Sequence, residues 1–276
     1  MPSVNLPKFE NPPVIETVLG IQFDTLPNFT IAHLGAFWQR LGPDKWPHVN
    51  DAPSLDTQYE RFGEENRGRI ANMMFKLSRS IEVRLQIRNN DKTRMIQVQN
   101  GRLHYNWLGH TGDPYPNYEQ VKPEFDRVWN DFNCFLSEYN LGNIHLNQWE
   151  VTYVNHIPQG TIWNDPQDWI DIFPLLTTLP TKTTEVKLES FGGEWHFEIE
   201  PNRGRLHVNI SHGWQKEPQK TEIIVMNLTA RGPMPDSESD ILGIVEGFRI
   251  GHETIVKSFK ELTSKKAHEF WRLIND

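Results

Sequence analysis

The feature that most constrains this chain is a change of hydrophobic period that occurs twice in the same order. Residues 14–24 (VIETVLGIQFD) alternate, with Ile15, Thr17, Leu19, Ile21 and Phe23 on one face and Glu16, Gly20 and Gln22 on the other. A period of two marks a half-buried strand. Helical spacing replaces it at 30–41, where Ile31, Leu34, Phe37, Trp38 and Leu41 share a side and Gly42-Pro43 ends the run. Strand-like stretches follow at 56–62, 73–77, 81–87, 94–99 and 102–107, the last two joined by Asn100-Gly101, a type I′ hairpin pair. Between 118 and 139 a broad helical stripe runs through Val121, Phe125, Val128, Trp129, Phe132, Phe135 and Leu136.

The order then restarts. A strand at 149–157 leads to a helix at 167–176 behind Asp165-Pro166, a good cap and first-turn pair. Strands at 184–191, 195–200, 205–212 and 221–230 follow, then a Pro-, Gly- and Ser-rich loop at 231–239. The chain closes with a helix at 240–262 and a short one capped by Thr263 or Ser264. Both halves therefore read strand, helix, antiparallel strands, long helix. This predicts an α+β fold built as an internal duplication, with units 1–145 and 146–276, each a sheet with helices on one face. Gly101-Arg-Leu-His-Tyr-Asn106 echoes Gly204-Arg-Leu-His-Val-Asn209, although the two phrases sit at different places in their halves. The order is similar to a TATA-binding-protein-like fold and to helix-grip folds that hold apolar ligands, a likeness of fold that transfers no function.

Composition narrows the class. A single cysteine, Cys134, excludes an intramolecular disulfide and fits a reducing compartment. Its place between Phe132 and Phe135 reads as a small buried hydrophobe. No apolar run approaches membrane-span length and the N-terminus has no signal-peptide pattern, so the expected location is the cytoplasm. A net charge of −8 argues against indiscriminate binding to nucleic acid or membranes. The phosphate-loop, dinucleotide, nucleophile-elbow, HExxH and CxxC signatures are all missing. The sequence therefore singles out no catalytic residue, metal or cofactor, and leans away from an enzyme. His207 and His212, five apart on a strand, face opposite sides. His252 and His268 lie on apolar helical faces, where satisfied core or helix-end histidines are expected.

Charge is unevenly spread. Residues 67–102 hold nine basic residues (Arg67, Arg69, Lys76, Arg79, Arg84, Arg88, Lys92, Arg94 and Arg102) against Glu82 and Asp91, nine minus two or +7 in an acidic chain. Alternation turns Val83, Leu85 and Ile87 toward the helices and Arg84, Gln86 and Arg88 away. Gln97, Gln99, Arg102, His104 and Asn106 join them, with Glu16 on the first strand and His207 at the matching place of the echo. Guanidinium and amide groups on one face recognise carboxylates, phosphates or base edges. The expected function is a binding protein that meets an acidic protein or nucleic acid through this face, as monomer or homodimer. The bland alternative is the solvated outer side of a one-sided sheet. Two further classes stand beside it: a small-ligand protein of helix-grip type with an aromatic-lined cavity, and an enzyme using Glu16 with His104 or His207 as acid and base.

Three groups of residues carry a resemblance: Phe9-Glu-Asn-Pro-Pro-Val-Ile-Glu16; Gln97-Val-Gln99 with Asn106-Trp107 and Tyr115-Pro-Asn-Tyr118; and His252, Phe259, Leu262-Thr263, His268 and Trp271. In these the chain resembles a sporadically distributed bacterial family of uncharacterised proteins. The resemblance implies a cytoplasmic accessory protein, and its scattered distribution is similar to that of defence or toxin–antitoxin components. Leu-Gly follows Asn106-Trp107 here, in place of the basic continuation expected of the family.

Overall fold

A computed structural model describes residues 5–63, 83–176, 188–199, 201–215 and 220–275. In chain order its elements are β1 (Lys8–Phe9), β2 (Val14–Phe23), α1 (Ile31–Leu41), β3 (His48–Pro53), β4 (Val83–Arg88), β5 (Arg94–Gln99), β6 (Arg102–Leu108), α2 (Tyr118–Glu138), β7 (Leu146–Pro158), β8 (Gly192–Ile199), β9 (Gly204–Gln215), β10 (Thr221–Pro233), α3 (Asp240–Leu262), α4 (Lys265–Phe270) and β11 (Leu273–Asn275). Among the described residues nine strands form one sheet in the order β3-β4-β5-β6-β2-β7-β10-β9-β8, every neighbour antiparallel. β1 and β11 pair separately. The fold is mixed α+β with a large antiparallel sheet. Among the described residues no helix is long and apolar enough to cross a membrane.

The long periodic segments form as expected, and the departures have local causes. Residues 56–62 form no strand, whereas 48–53, framed by Pro47 and Pro53, is edge strand β3. The segment expected as a helix at 167–176 forms two 3₁₀ turns, Pro166–Asp171 and Pro174–Leu176, because Pro174 cannot donate to a continuing α-helix. Arg231 belongs to β10 and not to the loop after it. Gly101 alone takes a left-handed φ of 97° at the β5–β6 hairpin, so the turn is not type I′. Cys134 is exposed, contrary to expectation: it points away from the side shared by Phe132, Phe135 and Leu136. Residues 188–191 form no strand, and the strands expected at 73–77, 81–82, 184–187 and 200 lie outside the described residues.

All three long helices cover one side of the sheet. Phe37 of α1 meets Phe132 of α2 edge-on at 5.1 Å, and Phe125 of α2 meets Phe248 of α3 at 4.8 Å. Trp149 of β7 is fully buried beneath α3. Two glycines make that close approach feasible: a Cβ at Gly247 would lie 2.5 Å from Trp149 Cγ, and one at Gly251 would lie 2.7 Å from Val151 Cγ2. Gly247→Ala is therefore expected to cost about 1–3 kcal/mol in urea unfolding, because overpacking outweighs the better helix propensity of alanine. Gly35→Ala on α1, where a Cβ meets nothing within 4 Å, is expected to gain about 1 kcal/mol in the same measurement.

Candidate functional site

The side of the sheet away from the helices is built from alternate residues of every strand. One register row crosses all nine: Asn50, Gln86, Gln97, His104, Gly20, Glu150, Arg231, Arg205 and Glu198. Gly20 is the gap in this row. The His104 ring lies across it, so that a Cβ at Gly20 would sit 2.6 Å from His104 Cδ2. This brings Nε2 to 3.5 Å from Glu150 Oε1 on the next strand but one. Burial pushes the His104 imidazole down to about 4, against the pull of Glu150, so it is neutral near pH 7. Burial raises the Glu150 carboxyl, but the cationic groups around it, among them Arg102 and Arg231, outweigh that and hold it below its ordinary range. Arg231 Nη1 donates to Glu150 Oε2 at 3.1 Å.

This face is not open to solvent at its centre. Residues 54–63 run across it as an extended strap, without joining the sheet. A second register row, Gln99, Arg102, Gln22 and Gln148, supplies the bonds. Leu55 N–H donates to Gln99 Oε1 and Gln99 Nε2 donates to Leu55 O, both at 2.8 Å. Gln58 N–H donates to Gln22 Oε1 at 3.0 Å, Glu60 N–H to Gln148 Oε1 at 3.1 Å, and Arg102 Nη2 to Asp56 O at 3.0 Å. Side-chain amides thus replace a neighbouring strand as partners for the strap's main chain.

The strap ends in a carboxylate clamp. Glu60 Oε1 accepts from Arg231 Nε (3.0 Å), Arg231 Nη2 (2.8 Å) and His207 Nε2 (2.7 Å), and Oε2 accepts from Arg205 Nη1. The close carboxylate places a His207 hydrogen on Nε2, and on the far side of the ring Nδ1 lies 2.9 Å from His196 Nδ1. Arg205 also lies over the Phe62 ring, 5.2 Å from its centroid. Burial raises the Glu60 carboxyl, but His207 and Arg231 overcome this and bring it to about 2.

Of the ten residues expected to bind, Gln97, Gln99, Arg102, His104 and Asn106 are buried. That differs from the outward-facing surface expected of them; the strap lies over Gln99 and Arg102. Gln86, Gln97, Asn106 and Glu16 form a directed chain, with Gln86 Nε2 donating to Gln97 Oε1 (3.1 Å), Gln97 Nε2 to Asn106 Oδ1 (3.0 Å), and Asn106 Nδ2 to Glu16 Oε1. Burial raises the Glu16 carboxyl despite the Asn106 bond and the nearby charge of Arg88. Arg84 and Arg88 are half-buried on β4. His207 sits in the Glu60 clamp on β9, three strands from Glu16 on β2. Arg94 faces the helices and pairs with Glu124 on α2. Arg67, Arg69, Lys76, Arg79 and Glu82 lie outside the described residues.

Sequence reasoning missed Gln22, Glu60, Gln148, Glu150, Arg205 and Arg231. The signal for Gln148 and Glu150 was present, since they alternate with Trp149 and Val151 on β7. No protein-family model, curated protein or solved structure matches this chain. The arrangement can grip a carboxylate and an extended main chain. Among the described residues no cluster of three or more His, Cys, Asp or Glu side chains is placed to hold a metal ion.

The Glu60 carboxyl is lower in the folded than in the unfolded protein, so its stabilisation is full above about pH 4.5 and disappears as pH falls through about 2. That difference is worth about 3 kcal/mol, and solvent beside half-exposed Arg205 and His207 reduces it to about 2 kcal/mol. Denaturant unfolding of wild type and Glu60→Gln is expected to differ by this amount at pH 6 and to converge toward pH 2.

Proposed function

We propose that this chain is a non-enzymatic binding protein whose polar sheet face takes an extended acidic segment of a partner protein. The observation that supports this is the strap itself. The face already holds one extended segment by its main chain, through Gln22, Gln99, Arg102 and Gln148, and grips a carboxylate in Arg205, Arg231 and His207. A partner segment with a glutamate at the equivalent place would use the same bonds. Held at high effective concentration, the strap competes with any such partner. Placement in the bacterial cytoplasm and an accessory role in a defence or toxin–antitoxin system rest on the family resemblance alone.

The two halves are, in this reading, copies of one unit, 1–145 and 146–276, in an arrangement similar to a TATA-binding-protein-like fold. In support, β2 pairs with β6, the last strand of its half, as β7 pairs with β10. The antiparallel β2–β7 contact lies between the halves. The hexapeptide echo does not add support: 101–106 reaches β6, beside β2, whereas 204–209 lies on β9, one strand removed from β7.

The test uses a fluorescent synthetic peptide copying residues 54–63 and the full chain carrying Glu60→Gln. Anisotropy is expected to show roughly tenfold tighter binding to the variant than to wild type, weakening with salt. Adding Arg205→Glu, at a half-exposed position, should abolish it. No binding to Glu60→Gln, equal binding of a peptide whose glutamate is replaced by glutamine, or stronger capture of an oligonucleotide would each overturn the proposal. Reversal at Arg102 is a poor test, because that side chain is buried.

A further inference from the structure

A second concave site lies on the opposite side of the sheet, at the seam of α3, the start of α2 and the N-terminal segment. It is a cavity of about 390 Å³, within the roughly 300–1,000 Å³ typical of small-molecule sites. Val14, Leu228, Ile255 and Phe259 supply apolar walls. Phe9 of β1 closes one side and is held edge-on against Phe259 at 5.4 Å.

The polar wall is a short directed chain. Tyr115 OH donates to Tyr153 OH at 2.9 Å, and Tyr153 OH lies 2.8 Å from His252 Nδ1. Because Tyr153 already accepts from Tyr115, its own proton goes to Nδ1, and the neutral imidazole carries its hydrogen on Nε2. The Tyr118 ring stacks on His252 at 4.3 Å with 8° between planes. The wall therefore pairs an acceptor, the Tyr115 oxygen, with a donor, the His252 N–H.

Charge of either sign is disfavoured there. Burial pushes the phenols of Tyr115, Tyr118 and Tyr153 well above their ordinary range. Burial also pushes the His252 imidazole down to about 4. The two charged side chains in the lining, Lys8 and Glu119, are both exposed to solvent at its rim.

We propose that this cavity binds one uncharged, planar aromatic molecule carrying a hydroxyl or carbonyl group. The apolar walls take the ring, and the single polar group meets the Tyr115–Tyr153–His252 chain. The site is independent of the polar sheet face, so either can fail without the other.

The experiment titrates the full-length chain at pH 7 with 2-naphthol, neutral at that pH, and with 2-naphthoate, its charged analogue. One 2-naphthol per chain and a raised melting temperature are expected, with 2-naphthoate binding at least tenfold more weakly. Val256→Trp, which fills the cavity from α3, is expected to weaken 2-naphthol at least tenfold while leaving the 54–63 peptide's behaviour unchanged. Tyr153→Phe, which breaks the chain, should weaken 2-naphthol several-fold. If Val256→Trp does not fold, ring-proton shifts of His252 and the tyrosines on adding 2-naphthol to wild type decide the question. Absence of binding, equal binding of the two probes, or binding that leaves those ring signals unmoved would overturn the proposal.

Discussion

The carboxylate of Glu60 meeting Arg231, Arg205 and His207 is the contact that lets this sheet be covered on its polar side. Arg102 and Arg231 are buried there with Glu150 as the internal counter-charge. A buried cation without a partner is strongly destabilising, and Glu60 adds a second carboxylate to the one that Glu150 supplies. Its position also determines what the rest of the strap does. Once the carboxylate is seated, the main chain from 55 to 60 lies along the glutamine row and its amides find acceptors there. The polar residues of that row are therefore the inner lining of a second layer.

Space at the sheet's centre is as restrictive as charge. β2 and β7 are pressed from both sides. On one side Gly20 leaves room for the His104 ring to cross a strand and approach Glu150. On the other, Gly247 and Gly251 let α3 lie directly on Trp149 and Val151. A methyl group at Gly20 would displace the His104 ring, and one at Gly247 or Gly251 would push α3 away from β7. The same closeness explains why tryptophan, the largest side chain, is fully buried at the crossing.

The elements legible in the sequence were those whose period is set by one apolar layer: β2, α1, α2, β7 and α3. The strap was misread because its alternation resembles a strand, although it uses side-chain amides in place of a ladder. β3 escaped notice because an edge strand needs no apolar pattern, and Asn50 and Asp51 look like a turn. The polar row itself was legible in β4, β5 and β6, where Gln86, Gln97 and His104 alternate with apolar neighbours. The burial of Gln99 and Arg102 was not, because the strap over them carries no strand or helix and bonds through its main chain. The phrases that carry the resemblance also meet in space: Phe9, Tyr115, Tyr118, His252 and Phe259 all line the cavity beside α3. No spacing rule connects residues so distant along the chain.

The placement of β2 and β7 has a consequence for how the protein breathes. Each is hydrogen-bonded on both edges and lies three or more strands from either end of the sheet, between two covering layers. Opening either one means separating the two halves of the chain, so local fluctuation gives it no route to solvent. Amide protons of β2 and β7 therefore exchange only through global unfolding. Those of β3 and β8, the outermost of the described strands, exchange through fraying that leaves the rest of the sheet intact.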